Sequence, residues 1–339
     1  ILLGALFPLS VRAFASDSNR LGSDVGTLYA VLTCGNVLGA ALATLWLAGL
    51  GLSGGLLAAA ALHLVASLAL AWNTTTRSRP QWAFSTAMLA TLLLVPWIRR
   101  QWQPLLSTSG VFQNVNFSSD QFTRPEEFFR SLSVFHVLYY KEGKTATVSV
   151  YEEPSLEFSR HLSLAIDGKA DASTGEDMPT QELLGHLPLL ISSQTGSQQS
   201  GDTCVIGWGS GITAGSVLRY PVTRVTAIEI EPAVLEGARL FDEFNHHALS
   251  DPRLRVVIDD ARAVLLREDR QYQAIISEPS NPWLAGPSKL FTREFLELGK
   301  RRLRPGGIFT QWIHLYGLDA SLLKMFLRTF GSVFPHLLA

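Results

Sequence analysis

The chain has 339 residues, 28 Lys and Arg against 29 Asp and Glu, a net charge of −1, and two cysteines. A balance this close to neutral excludes nucleic-acid binding by bulk charge, and two cysteines exclude a disulfide-stapled scaffold or a cysteine metal cluster. The charge is unevenly spread: residues 26–98 carry few charged side chains, and most Asp, Glu, Lys and Arg follow Arg99. A membrane half and a soluble half are therefore expected.

Residues 1–10 (ILLGALFPLS) read as the end of an apolar helix without its beginning, with no charged leader and no cleavage site, as in a fragment of a longer membrane protein. Residues 25–50 are apolar or small apart from Thr27, Tyr29, Thr33, Asn36 and Thr44, long enough for one crossing. A glycine turn at 51–55 precedes a second expected crossing at 56–72. A third, shorter one at 83–98 is flanked by Trp82, Trp97, Arg99 and Arg100 as interface anchors. Small residues at Gly35, Gly39 and Ala43 suit close helix packing in lipid. Cys34 and Cys204 read as small core residues. The arginines at 12, 20, 77 and 79 would share one membrane face, which puts the soluble half outside if all three segments cross. A cofactor made in the cytosol argues for inside, and because the third segment is short the cytosolic side is the expectation for this integral membrane protein.

Residues 101–133 form a Ser- and Asn-rich connector. In the small β-domain at 134–178, FHVLYYKEGKTATVSVYEE and SRHLSLAIDGKADAS read as hairpins turning at Glu142-Gly143 and Asp167-Gly168. The remaining domain, 179–339, alternates strands and helices. A helix at 180–191 has Leu183, Leu184, Leu187 and Leu190 on one face, and helices are expected at 236–244 and 291–303. Strands are expected at 254–258, 272–277 and 308–313. Such alternation predicts an α/β fold with a mostly parallel sheet and ligands at the carboxyl ends of its strands.

The stretch at 204–231, CVIGWGSGITAGSVLRYPVTRVTAIEIE, carries the chemistry. It reads as strand, glycine turn (Gly207, Gly209, Ser210, Gly211), helix, and a second strand ending on Glu229, about 20 residues on, where an acid accepts hydrogen bonds from ribose hydroxyls. The spacing is GxGxG rather than GxGxxG, and no Lys-Ser/Thr pair follows. An adenosine without a pyrophosphate, such as S-adenosylmethionine, fits better than NAD or ATP. Glu229, Asp260 and Glu278 all fall at expected strand ends.

LAIDGK, QELLGHLPLL, VIGWGSG, AIEIEP, VIDDARAVL, ISEPSNPWLAGPSKLFTREF and LRPGGIF, in that order, resemble the spermidine/spermine synthase family, the polyamine aminopropyltransferases. The N-terminal part (GALFPLSVR, GTLYAVLTCGNVLGA) and the ending WIHLYGLDASLLKMFLRTFGSVFPH are similar to bacterial proteins in which a membrane domain is fused to a spermidine-synthase-like domain. The resemblance implies a Rossmann-like, methyltransferase-type domain preceded by a small antiparallel β-domain. It implies that Gln181 and His186 line the pocket of decarboxylated S-adenosylmethionine, that Glu229 holds the ribose, and that Asp260 meets the adenine amino group. Glu278 stands at the first acid of the family's Asp-x-x-Asp pair, which helps deprotonate the attacking amine. Ser210 replaces the Asp of the usual GGGDG turn, Asn281 replaces the second acid, and Thr180 sits where a Tyr often contacts the diamine. Donor binding is thus better supported than amine binding. A homodimer through the β-domain is also implied.

The family reaction is attack by an amine on the methylene beside a sulfonium, with methylthioadenosine leaving. It needs no metal and no permanently bound cofactor, but the amine, an alkylammonium of pKa about 10, must lose its proton. Glu278 is the only acid in its loop and is the expected base, while Trp283, Trp312 and Tyr316 are candidates to wall a channel for the acceptor's methylene chain. Three readings stand: aminopropyl transfer to putrescine or a related amine; methyl or aminocarboxypropyl transfer from S-adenosylmethionine; and a transporter or sensor that binds polyamine or nucleoside without turnover.

Overall fold

The computed structural model describes residues 7–8, 10–12, 20–73, 126–127, 130, 133–153, 160–194, 201–315 and 318–338. The chain divides into two compact units, Ile1–Gln101 and Trp102–Ala339. The expected crossing at 83–98 and most of the connector at 101–133 lie outside the described residues.

In the first unit, helix α1 spans Leu21–Asn73 and is interrupted at Gly51, whose φ of 67° is non-helical. The expected five-residue turn contracts to that one residue, because a glycine without a Cβ takes a positive φ while its neighbours stay helical. Among the described residues one helix, Leu21–Thr44, is long and apolar enough to cross a membrane. The hydroxyls of Thr27, Thr33 and Thr44 donate to the carbonyls of Ser23, Tyr29 and Ala40 four residues back, so these polar side chains need no water. Cys34 is exposed on this helix rather than in a core, since the α1 residues around it are exposed as well.

In the second unit, β1 (His136–Glu142), β2 (Thr147–Glu153), β3 (His161–Ile166) and β4 (Lys169–Ser173) form an antiparallel sheet in sequential order. The two-residue Asp167-Gly168 turn has φ of 49° and 81°. Positive φ at both positions is the hairpin turn that matches strand twist, and Asp and Gly tolerate it. Helix α2 (Met178–Gln194) leads to β5 (Asp202–Ile206), α3 (Ile212–Leu218), β6 (Arg224–Glu229), α4 (Pro232–Ala238) and β7 (Leu254–Ile258). The order continues with α5 (Ala261–Arg267), β8 (Tyr272–Ser277), α6 (Arg293–Arg301), β9 (Leu303–Gln311) and α7 (Ala320–Val333). The five strands are parallel in the order β7-β6-β5-β8-β9. The chain winds outward from β5 in one direction and then returns to start β8 on its other side, which creates a switch point beside β5.

Alternation along the strands divides the core. Val205, Ala227 and Ile276 join α2, α3, α4 and the antiparallel sheet in one cluster, whereas Cys204, Ile206, Ile228 and Ile275 pack with α5, α6 and α7 in the other. Both faces of the parallel sheet are therefore covered, as parallel sheets require. The antiparallel sheet contributes Val148, Val150, Leu162 and Leu164 to the first cluster, so both sheets share one core.

Local expectations changed where packing intervened. On α2 it is Leu184 and Leu189 that are buried, while Leu183, Leu187 and Leu190 are exposed. The inward face is chosen by Gly185, whose missing Cβ lets α2 approach α3 so closely that an added carbon would lie 2.6 Å from the Ser216 Cβ. The helix expected at 236–244 instead starts at Pro232, because the Glu231 side chain caps Ala233 N–H, and it decays into a 3₁₀ turn at Arg239–Phe241. The last strand includes Pro305-Gly306-Gly307 rather than following it. A register shift between Tyr272 and Ala274 absorbs those residues, with Gly306 at φ 74°.

Candidate active site

The ladder continues one residue past the ends of the central strands. Gly207 N–H donates to Ile228 O, and Glu278 N–H donates to Ile206 O, each at 2.9 Å. Glu229, Gly207 and Glu278 therefore form one row across β6, β5 and β8. Their α-carbons span two strand spacings, about 10 Å. Gly207 leaves the middle of that row without a side chain. Its φ is 91°, and a Cβ there would lie 2.7 Å from the Glu278 carbonyl oxygen. We expect Gly207→Ala to cost about 1–3 kcal/mol from backbone strain alone and to weaken ligand binding in the crevice. An unchanged Tm would show that the turn tolerates a side chain.

Glu229 is buried, and its carboxylate accepts from Trp208 N–H at 2.9 Å, Ile230 N–H at 2.8 Å and Glu231 N–H at 2.9 Å. Burial pushes this carboxyl above its ordinary range, against the pull of the three N–H groups. Three of its roughly four acceptor positions are used by the turn, which leaves one on Oε2 for a ligand. Glu231 behaves differently. Burial works to raise it, but N–H groups of Ala233, Thr145 and Ala146 and the Thr145 hydroxyl bring it below the ordinary range. It clamps the β1–β2 loop and does not face the crevice row.

Glu278 is partly buried and accepts from Thr213 Oγ1 at 2.7 Å. Burial pushes its carboxyl up to about 7; the Thr213 bond opposes this, and the charges of Asp177 and Asp171 add to it. A carboxyl poised there takes up a proton near neutral pH, as a general base should.

Gln181 and Ser210 meet in the wall between α2 and the glycine turn. The Ser210 hydroxyl donates to Gln181 Oε1 at 2.6 Å, Gln181 Nε2 donates to Ser173 O at 2.8 Å, and both side chains are buried. Gly209 and Gly211 take φ of 54° and 83° and close the turn. Asp260 lies at the end of β7, where Oδ1 caps α5 by accepting Ala263 N–H at 2.9 Å. His186 is not brought to this turn. Its Nδ1 lies 3.1 Å from the Tyr220 hydroxyl, past the C-terminal end of α3. Asn281 is buried in the loop after β8, whereas Trp283 is 48% exposed. Trp312 follows β9, its N–H donating to Ser277 O at 2.8 Å, and its ring packs on the first core cluster. Tyr316 lies outside the described residues.

Sequence reasoning missed Thr213, Asn245 and the group Lys169, Asp171 and Ser280. Asn245 is buried and donates to Ser210 O at 2.9 Å while accepting Ala248 N–H, so it braces the turn from outside. No spacing signals a contact of that kind. Lys169 and Asp171 sit at i and i+2 of β4, a spacing that puts both on one face, but which loop that face meets is a tertiary fact.

Residues 177–337 match the family model described as the spermine/spermidine synthase domain. Putrescine N-methyltransferase 3 of Nicotiana tabacum is 33% identical over 221 residues, covering 62% of this chain and 55% of that protein. The polyamine aminopropyltransferase of Serratia proteamaculans (strain 568) is 32% identical over 184 residues, covering 54% of this chain and 61% of that protein. The chain spans 54 to 62% of the length of the curated relatives it matches. In fold it is similar to a spermidine synthase crystallised with the transition-state analogue AdoDATO (TM-score 0.53, 23% identity, 59% of this chain and 66% of that one). A second likeness is the spermidine synthase of Thermotoga maritima (TM-score 0.51, 23% identity, 59% and 65%). Residues 177–337 of this chain are thus similar in sequence to the spermine/spermidine synthase domain, and the parallel sheet with the antiparallel sheet before it is similar in fold to spermidine synthases.

Proposed function

We propose that the crevice binds an adenosyl sulfonium and transfers its aminopropyl group from decarboxylated S-adenosylmethionine to a small amine such as putrescine. The observation that carries this reading is the row Glu229, Gly207, Glu278. It offers a ribose acceptor at one end, a poised carboxylate at the other, and open backbone between. In that arrangement Glu229 receives one ribose hydroxyl on its remaining lone pair, Asp260 meets the adenine through Oδ2, and Gln181 and Ser210 line the donor's chain. The amine nitrogen forms its bond to the methylene carbon as the carbon–sulfur bond breaks and methylthioadenosine departs. The amine's proton goes to Glu278. Positioning and general base catalysis supply the acceleration, the latter about 10²- to 10⁴-fold. Relatives named polyamine aminopropyltransferase support the reaction class. As part of the same proposal, Leu21–Thr44 crosses a membrane and the α/β unit lies on its cytosolic side.

One observation favours a second reading. The Ser210 hydroxyl, where the family carries an acid, is spent on Gln181, so no charge at that point selects an ammonium tail over an intact amino acid. With a putrescine N-methyltransferase among the relatives, methyl transfer from S-adenosylmethionine is the alternative. Purified protein incubated with each donor and a panel of amines separates the two. Methylthioadenosine released from the decarboxylated donor indicates aminopropyl transfer, S-adenosylhomocysteine indicates methyl transfer, and neither product with any amine removes both.

A further inference from the structure

A buried polar cluster stands beside the Glu278 loop. Lys169, on β4, is 5% exposed, and its Nζ forms an ion pair with Asp171 and donates to Ser280 Oγ at 3.2 Å. The Ser280 hydroxyl in turn donates to Asp171 Oδ1 at 2.9 Å. Ser280 is two residues from Glu278, so the antiparallel sheet grips the loop that bears the poised carboxylate. The cost of burying Lys169 and Asp171 is offset only because each is the other's partner and Ser280 takes a further bond. Breaking one leaves the other charge uncompensated.

We infer that Lys169 and Asp171 are positioning residues for Glu278: they hold its loop through Ser280 and set an ion pair with its acidic member on the sheet side of the crevice. This rests on Glu278 being the base proposed above. The charged groups around Glu278 are Asp177, at the start of α2, and Asp171 on β4, with the uncharged Thr213 on α3. Both acids oppose ionisation of Glu278. Lys169 also faces His314, which burial together with the Lys169 charge holds down at about 4, so His314 brings no positive charge to the cluster near neutral pH. Burial raises the Asp171 carboxyl above its ordinary range, against the pull of the Lys169 charge and the Ser280 hydroxyl, so its charged form depends on those two partners.

The sign follows for each variant. Asp171→Asn removes a repelling charge and frees a cation, so both changes make Glu278 easier to ionise. Lys169→Met strips Asp171 of its partner, so Asp171 takes up a proton and its repulsion disappears, but the Lys169 charge is lost with it and the net effect on Glu278 is smaller than in Asp171→Asn. A carboxyl-carbon NMR titration of the full chain labelled at glutamate, with the Glu278 resonance assigned through Glu278→Gln, reads this without any turnover. The Glu278 midpoint is expected to fall by about half a pH unit in Asp171→Asn and by less in Lys169→Met, and to stay in place in Lys169→Arg. If Lys169→Met fails to fold, the uncharged pair Lys169→Met with Asp171→Asn answers the same question with no orphaned charge and is expected to show the same fall. A midpoint unmoved in Asp171→Asn overturns the inference. Should the protein turn over neither donor, the proposed reaction fails while this titration still decides the role of the cluster. Where it does turn over, the acid limb of kcat against pH should move with the NMR midpoint. A lower kcat at every pH with an unmoved limb would mean a merely structural cluster.

Discussion

Glu278→Gln is expected to lower kcat by about 10²- to 10⁴-fold while leaving donor affinity, measured by calorimetry, within a few-fold. The amide keeps the Thr213 hydrogen bond but cannot accept the amine's proton. The same substitution should stabilise the fold at alkaline pH. In the folded chain burial carries this carboxyl from 4.5 to about 7. The unfolded chain therefore releases the proton first. The group's contribution is most favourable below pH 4.5, declines as pH rises through about 7, and is flat above that. After allowing for the partial exposure of Glu278, the variant should be about 2 kcal/mol more stable than the parent at pH 8 and no different at pH 4. Denaturant unfolding at the two pH values measures this. Retained turnover would remove Glu278 as the base, and equal stabilities at pH 8 would show that its carboxyl is not raised.

Glu229→Ala should act on both folding and binding. Truncation orphans the N–H groups of Trp208, Ile230 and Glu231 in a place water reaches poorly. Each unsatisfied donor costs about 1–3 kcal/mol, so a loss on the order of 3 kcal/mol or more is expected in urea unfolding. Because the Trp208 bond also shapes the glycine turn, adenosyl donor binding should disappear from calorimetry even at temperatures where circular dichroism shows a folded chain. Glu229→Gln retains an acceptor oxygen but brings an NH₂ group toward N–H donors, and should fall between the parent and the alanine variant in stability. A stable Glu229→Ala protein that still binds the donor would separate this residue from the pocket.

The boundary between two kinds of information in this molecule is physical. Local signals were legible because they need only neighbours along the chain. The alternating hairpins, the Asp167-Gly168 turn, the glycine turn after an apolar strand and the acids at or just past the strand ends follow from backbone preference and period-2 patterning. Parallel topology followed from the alternation of elements, and with it the crevice containing Glu229, Gly207 and Glu278. Exposure was less legible. Leu183, Leu187 and Leu190 have helical spacing suited to a core, yet Gly185 lets α2 rest its other face on α3. His186 belongs to a motif-bearing stretch, but a helix turns it away from Gln181 toward Tyr220.

By itself, then, the amino-acid order determined the alternation of strands and helices, that the strands would run parallel with acids at their tips, and that an apolar helix would precede them. Only the tertiary structure decided which side chains meet across elements. It set Ser210 against Gln181, Thr213 against Glu278, and the Lys169–Asp171 pair against Ser280. Those contacts join residues 29 to 111 positions apart, a range over which no local preference acts and only the packing of two sheets on a shared core fixes the partners.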